Sequence, residues 1–539
     1  MSASIVIPAY RAAATIAETV RAARQLSGVQ EIIVVDDGSN DGTGEAARSA
    51  GADAVIALPA NRGKGAALSA GIARANAEQL LLLDADLGQS AARAGPLLDA
   101  LSEIPGPGMT VAVLPSRAGA GGFGLAMGLA RVAIRLLSGL RSEAPMSGQR
   151  AISAPLIRHV GIAPRFGVEV ALTVEAAHVG AAMREIPLSL EHARTGRDLS
   201  GFLHRARQFK DILVFLLLTG YGVGWPALSP GIVRLRAVLL TAALIAIIAL
   251  GRIASPPASA SAALACAAAL VLWLPVLWLA SVTLGLRKPN YLGRQLPSGA
   301  GLLFPLVGVP ALLVSGIDPP EKWAGIATIT AFGLLGLVDD LYASGHQARG
   351  LRGHFRALFR GRITTGSVKA LGGIATGVVA GLLLDADRAW LVAVDALLIA
   401  LAANSLNLLD LRPGRALKGF ALLSAVSVVA APSSLHLLGP LLAAAIVSAP
   451  ADLAGRAMMG DVGANALGAA AGLGLVLVLP PWARVAALVI LVAFHLLCEQ
   501  RSLTEIIERS RALRFLDRLG AAHLPPLPST TSAGPGQVQ

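Results

Sequence analysis

Two pairs of carboxylates near the amino terminus have the spacing needed to hold a nucleoside diphosphate and a cation. Asp36 and Asp37, in VVDDGSNDGT, follow a β-branched run and precede a glycine turn. A carboxylate there accepts the N–H of a uracil or guanine ring, or ribose hydroxyls. Asp84 and Asp86, in LLLDADLG, close a buried-looking apolar run. Alternate residues of an extended segment can hold a divalent cation that bridges a diphosphate. Between the pairs, NRGKGAAL sets Arg62 and Lys64 on a glycine loop ahead of a helix, where backbone N–H groups and a cation face phosphate. Each element alone also describes an ordinary polar turn; their succession carries the expectation.

A second set of polar residues lies in an apolar setting. Asp339 and Asp340 end the run GLLGLVDDLYA; Asn404, Asn407 and Asp410 end ALAANSLNLLDL; Asp461 and Asn465 open AMMGDVGANALG. Charge within a membrane span is costly and marks function more often than chance. Asn404 and Asn407, three apart, share a helix face. Helix capping explains any one of these clusters, but their arrival at one face of the membrane points to a shared site.

The elements that must position these residues divide the chain in two. Residues 4–8, 31–35, 55–58 and 80–83 read as strands, and 12–26, 65–76 and 125–140 as helices. Strands alternating with helices imply a largely parallel sheet covered on both faces, with ligands bound beyond the carboxyl ends of the strands. Asp36, Asp37, Asp84 and Asp86 fall at such ends. Residues 119–124 (GAGGFG) form a glycine loop, and 202–218 turn from basic to apolar, as a helix on a membrane surface would. Beyond about residue 237, apolar runs long enough to cross a bilayer recur. About ten spans are expected, near 237–251, 261–285, 299–316, 323–338, 367–384, 389–407, 417–432, 438–450, 462–479 and 483–498. The implied organisation is an α/β domain over 1–215, a juxtamembrane linker over 216–236, an all-α polytopic domain over 237–520 and a disordered tail over 521–539.

The chain carries a net charge of +12. Its basic residues sit mainly beside the apolar runs, so membrane topology and anionic lipid account for them better than nucleic acid does. Arg287, Lys288, Arg349, Arg352, Arg356, Arg360, Arg362 and Arg415 fall in loops assigned inside, whereas the outside loops are sparse, with Lys322 and Arg388. This asymmetry, and a start (MSASIVIPAY) without a cleavable signal, place the amino-terminal domain and the carboxyl terminus in the cytoplasm of a multi-pass cell-membrane protein. Cys266 and Cys498 support neither a disulfide framework nor a zinc site.

VIPAY, DDGSNDGT, NRGKGAAL, DAD and SGQRAIS, in that order, resemble the family 2 glycosyltransferases with their GT-A (Rossmann-like) fold, over roughly 3–215. FGVEVAL and EHARTGRD look like the glucosyl-phosphoglycerate and polyprenyl-phosphate branches. The resemblance implies a nucleotide-sugar donor of UDP or GDP type and Mg²⁺ or Mn²⁺. By it, Pro8, Ala9, Asp36, Asp37, Arg62, Lys64 and Asp84 bind the nucleotide sugar. Asp84 and Asp86 hold the metal with His192 as a third ligand, and Glu169 sits near the acceptor. An acceptor hydroxyl needs a base such as Glu169; a lipid phosphate needs none and calls instead for cations such as Arg150, Arg194, Arg197 and Arg205.

The second half, over roughly 280–520, resembles the polyprenyl-phosphate N-acetylhexosamine-1-phosphate transferases. RKPNYLGRQLPSGAG is similar to their first cytoplasmic loop, VDDL to their paired aspartates, NSLNLLD to their Asn-Asp motif and GDVGANALG to a GDxGS-type motif. This implies catalytic Asp339, Asp340 and Asp410, metal-binding Asp461, and lipid-phosphate contacts from Lys288, Asn404 and Asn407. The chain departs from that pattern after Asp410 (LRPGRALKG) and lacks the late histidine cluster. The basic stretch 349–369 could grip a lipid diphosphate or simply face headgroups. Three functions stay open: a membrane-anchored glycosyltransferase acting on a lipid-linked (polyprenyl phosphate type) acceptor in envelope glycan synthesis; a bifunctional enzyme whose membrane half also transfers a phospho-sugar; and a silent lipid-carrier scaffold.

Overall fold

The structure is a computed structural model of the 539-residue chain and describes residues 2–115, 124–160, 162, 167–191, 199–221, 256–291, 293, 295–342 and 365–519. The amino-terminal lobe is built on a seven-stranded sheet in the order β3-β2-β1-β4-β6-β5-β7. These are β1 (Ala3–Ala9), β2 (Val29–Asp36), β3 (Ala54–Ala57), β4 (Gln79–Leu82), β5 (Gly108–Val113), β6 (Arg150–Ser153) and β7 (Ala182–Pro187). The strands β1, β2 and β4 are apolar without alternation because both faces are covered; Ile5 lies in register with Ile32 on one side and Leu81 on the other, and all three are fully buried. The expected parallel sheet is present, with one strand reversed: β6 runs antiparallel to both β4 and β5. The chain crosses over at β1, between β2 and β4, so the carboxyl ends of those strands open on one edge.

The second half is helical. Among the described residues, seven helices are long and apolar enough to cross a membrane: Pro256–Thr283, Pro319–Tyr342, Thr365–Asp385, Ala389–Leu409, Pro432–Leu453, Gly460–Val478 and Pro481–Gln500. Of the ten spans expected, 237–251 lies outside the described residues. Two others form shorter helices, Ala300–Leu313 and Arg415–Ala430. Apolar composition located these two but did not fix the helix length.

Glycines let the spans approach closely, as small residues do between membrane helices. At Gly468, in Gly460–Val478, a Cβ would lie 2.6 Å from the Ala402 carbonyl oxygen of Ala389–Leu409. The end of the bundle away from the amino-terminal lobe is fixed by charge. Arg484 binds Asp385 at 2.7 Å and Asp395 at 2.9 Å, and the Asp395 side chain is wholly buried. A lone mid-helix acid in lipid needs such a partner. Gly468→Leu is expected to force the two helices apart and cost about 1–3 kcal/mol, the usual range for overpacking. Thermal unfolding in detergent reads this as a lowered midpoint, and an unchanged midpoint would show the packing to be loose.

Candidate functional site

Three segments meet on one ammonium group. Lys64 begins the helix Lys64–Arg74, and its Nζ lies 2.7 Å from Asp84 Oδ1 and 2.7 Å from Glu169 Oε1. Asp84 follows β4; Glu169 opens the helix Val168–His178. Gln149, just before β6, donates from Nε2 to the second Asp84 oxygen at 2.7 Å. The two carboxylates outweigh the burial of Lys64 and raise its pKa above the ordinary lysine value, so it stays charged. The neighbouring residue must be glycine: a Cβ on Gly148 would come within 2.5 Å of Lys64 Nζ and 2.7 Å of Asp84.

Lys64, Asp84, Asp86, Glu169, Pro8 and Tyr10 line a cavity of about 460 Å³ at the carboxyl ends of β1 and β4. Arg11, on its rim, is the one non-glycine residue with positive φ (52°) among the described residues. It is held there by side chains of the 39–43 loop, since Arg11 N donates to Ser39 Oγ and Ala12 N to Thr43 Oγ1, each at 2.9 Å.

Both carboxylates of the DDGS turn hold backbone N–H groups. Asp37 is buried, and its two oxygens accept from Arg62 N and Gly63 N at 2.8 Å each. It therefore shapes the NRGKG loop, which in turn sets Lys64. Gly38 (φ +74°) permits the approach, because a Cβ would lie 2.6 Å from the Ala60 carbonyl carbon. Asp36 accepts from Ser39 N at 2.9 Å. Asp84 is likewise engaged on both oxygens, by Lys64 and Gln149, and so anchors Lys64.

Arg150 also departs from expectation. It is 1% exposed beneath the sheet, where Nε donates to Ser147 O at 2.8 Å and NH1 to Thr173 Oγ1 at 2.9 Å. Burial lowers its pKa to about 10. A guanidinium so placed joins β6 to the helix Val168–His178 and cannot reach a lipid phosphate. His192, Arg194 and Arg197, and most of the basic stretch 349–369, lie outside the described residues.

The polar clusters of the membrane half converge at one end of the bundle. Asp340 Oδ2 accepts from Val462 N at 3.0 Å and Asp410 Oδ2 from Gly460 N at 3.1 Å, so two aspartates from other helices cap Gly460–Val478. Lys288 pairs with Asp340 at 2.8 Å. Lys369 pairs with Asp461 at 2.5 Å and lies 3.8 Å from Asp339. Asn407, oriented to satisfy both neighbours, donates to Asp461 at 3.1 Å and accepts from Lys369 at 3.0 Å. Asn404 is half-buried on the same helix. Lys369, named in the sequence only as the end of a basic stretch, is thus a central member. Asn465 is 1% exposed and its amide has no partner among the described residues. No group of three or more His, Cys, Asp or Glu among the described residues is gathered tightly enough to hold a metal without further donors.

The amino-terminal lobe stands on this same end. Arg287, next to Lys288, donates to Leu137 O at 3.4 Å, and Arg456, shortly before Asp461, pairs with Glu175.

With this geometry in view, residues 4–120 match the family model described as Glycosyl transferase family 2. The amino-terminal lobe carries a glycosyl transferase family 2 domain. Glucosyl-3-phosphoglycerate synthase of Mycolicibacterium smegmatis is 31% identical over 192 residues, covering 32% of this chain and 63% of the relative. Undecaprenyl-phosphate 4-deoxy-4-formamido-L-arabinose transferase of Pseudomonas savastanoi is 38% identical over 109 residues, covering 19% and 32%. The chain therefore spans less than two thirds of the length of these relatives. A solved structure of glucosyl-3-phosphoglycerate synthase from Mycobacterium tuberculosis with Mn²⁺, uridine diphosphate and glucosyl-3-phosphoglycerate is 26% identical, with a TM-score of 0.34 over 40% of this chain and 79% of that one.

Arg150→Ala is expected to leave the Thr173 and Ser147 groups without their partner and to destabilise the lobe by about 1–3 kcal/mol. Denaturant melts of the variant check the loss, and affinity for polyprenyl phosphate should not change. Weakened lipid binding with full stability would restore Arg150 as a phosphate contact.

Proposed function

We propose that this chain is a membrane-anchored glycosyltransferase. It moves a sugar from a nucleotide sugar of UDP or GDP type to a lipid-borne acceptor of the polyprenyl phosphate type at the cytoplasmic face of the cell membrane. The observation that carries this reading is the cavity of Lys64, Asp84, Asp86 and Glu169, in a family 2 lobe that stands on the polar end of an apolar helix bundle.

An acceptor oxygen attacks the anomeric carbon of the donor as the bond from that carbon to the diphosphate breaks. The nucleoside diphosphate leaves with the electron pair. Charge grows on the leaving phosphate oxygens, so a fixed cation beside them lowers the barrier. Lys64, held charged by Asp84 and Glu169, is such a cation. The neighbouring carboxylates of Asp84 and Asp86 in the cavity fit Mg²⁺ or Mn²⁺, since such ions are bound by one or two carboxylates with substrate phosphates completing the shell. When bound, the ion would supply further positive charge to the leaving diphosphate. Pro8 and Ala9 at the end of β1, Asp36, and the Arg62 loop that Asp37 shapes border the nucleotide. A lipid phosphate is ionised already, so Glu169 serves to orient Lys64; with a hydroxyl acceptor it would stand in place to take the proton.

A second reading, phospho-sugar transfer by the membrane half, is favoured by one observation. Asp339, Asp461, Asn407, Lys288 and Lys369 gather where the bundle meets the lobe. The resemblance to phospho-N-acetylhexosamine transferases belongs to this reading. The interhelical caps made by Asp340 and Asp410 explain those two residues structurally, which leaves lipid-phosphate binding as the simpler role for the cluster.

In purified full-length protein in lipid, Asp86→Asn is expected to lower sugar transfer by about 100-fold or more, the scale of losing a leaving-group stabiliser. Asp339→Asn should leave release of nucleoside diphosphate intact. Unchanged transfer by Asp86→Asn would sink the proposal, whereas nucleoside monophosphate release that depends on Asp339 would shift the chemistry to the membrane half.

A further inference from the structure

One helix links the sugar cavity to the turn that leads into the polar cluster of the bundle. The first turn of Val168–His178 carries Glu169, bound to Lys64 in the sugar cavity. At its other end Glu175 accepts a hydrogen bond from the Arg456 guanidinium. His178 Nδ1 accepts from the same group at 3.0 Å, and its Nε2 donates to Leu137 O at 2.8 Å. Glu175, His178 and Arg456 are 3%, 2% and 9% exposed, so the contact is closed to water. Burial, with the Arg456 charge alongside, holds the His178 pKa down at about 4 and keeps the ring neutral as an acceptor.

Arg456 lies in the turn between Pro432–Leu453 and Gly460–Val478. Four and five residues after it come Gly460, whose N–H binds Asp410, and Asp461, which binds Lys369. The buried charges cost desolvation energy that apolar packing would have avoided, and such pairs are poor sources of net stability. What the guanidinium supplies is direction, because both bonds leave from one nitrogen of a rigid plane, NH1, which fixes Glu175 and His178 about a single point.

We propose that Arg456 is a positioning residue: through Glu175 and His178 it sets the sugar cavity at one fixed spacing from the polar cluster of the bundle, where a lipid-borne phosphate would be presented. The inference rests on the function proposed above and adds how the two halves are coupled. Donor chemistry needs only the cavity, whereas transfer to a membrane-borne acceptor needs the spacing as well. Removing Arg456 therefore separates the two.

The test uses full-length protein in vesicles containing polyprenyl phosphate. Nucleotide-sugar hydrolysis by water is measured beside transfer to the lipid. Arg456→Ala, and Arg456→Lys as the variant that keeps the charge and the fold but not the rigid planar group, should raise the apparent KM for the lipid or lower transfer by about 10- to 100-fold, the scale of a misplacement of about an ångström. Donor KM and hydrolysis should stay within about twofold, the limit for a change that spares the transition state of the donor step. Exchanging the charges, Arg456→Glu with Glu175→Arg, should recover part of the transfer. Hydrolysis and transfer falling together, or neither falling, would overturn the positioning role. A wild-type protein that neither hydrolyses nor transfers would instead overturn the functional proposal beneath it.

Discussion

Lys64 stands between Asp84 and Glu169, and the amino-terminal lobe is arranged so that it can. An ammonium drawn this far from water is tolerable only with compensating carboxylates. Those carboxylates come from the end of β4 and the start of Val168–His178, which therefore cannot drift apart. Asp37 reaches the same point from β2 by gripping the backbone of the loop that carries Lys64. Gly38 and Gly148 make room where a Cβ would collide. A cation held on this edge of the sheet is what turns a generic α/β cleft into a place for a diphosphate.

The same rule operates in the membrane half. Apolar helices that carry aspartates at their ends must pair them. They do so with Lys288 on a short connecting strand, with Lys369 in the first turns of Thr365–Asp385, and with the unsatisfied N–H groups at the start of Gly460–Val478. The paired groups then collect at the end of the bundle that faces the lobe, and the lone acid Asp395 is answered at the other end by Arg484. Charge neutralisation thus gives the bundle two chemically distinct ends. The helix Val168–His178 joins the sugar cavity to one of them.

Much of this was legible in the chain itself. Continuous apolar runs closed by DDGS and DAD announced strands buried on both faces with acids at their ends, since only a covered parallel sheet makes use of such runs. The convergence of Asp340, Asp410 and Asp461 followed from counting spans, because loop parity decides which ends share a side. What escaped depends on contacts remote in sequence. Arg150 looked like a surface cation in SGQRAIS; its burial needs Thr173, which arrives on another element. Arg456, Glu175 and His178 carry no local signal at all, for each lies in an ordinary apolar or small-residue context. Asp395 did carry a signal, an unaccompanied acid in VAVDALLIA, with its partner Arg484 opening a later span. The two short helices Ala300–Leu313 and Arg415–Ala430 were located by hydropathy but not measured by it.

The central claim is that the sugar, and not its phosphate, crosses to the lipid. Mass analysis of the lipid formed by purified full-length protein from a panel of nucleotide sugars and polyprenyl phosphate decides it most directly. The account predicts a glycosylated lipid with one phosphate, formed together with nucleoside diphosphate. A lipid with two phosphates formed together with nucleoside monophosphate, or no lipid product from any donor, would contradict it.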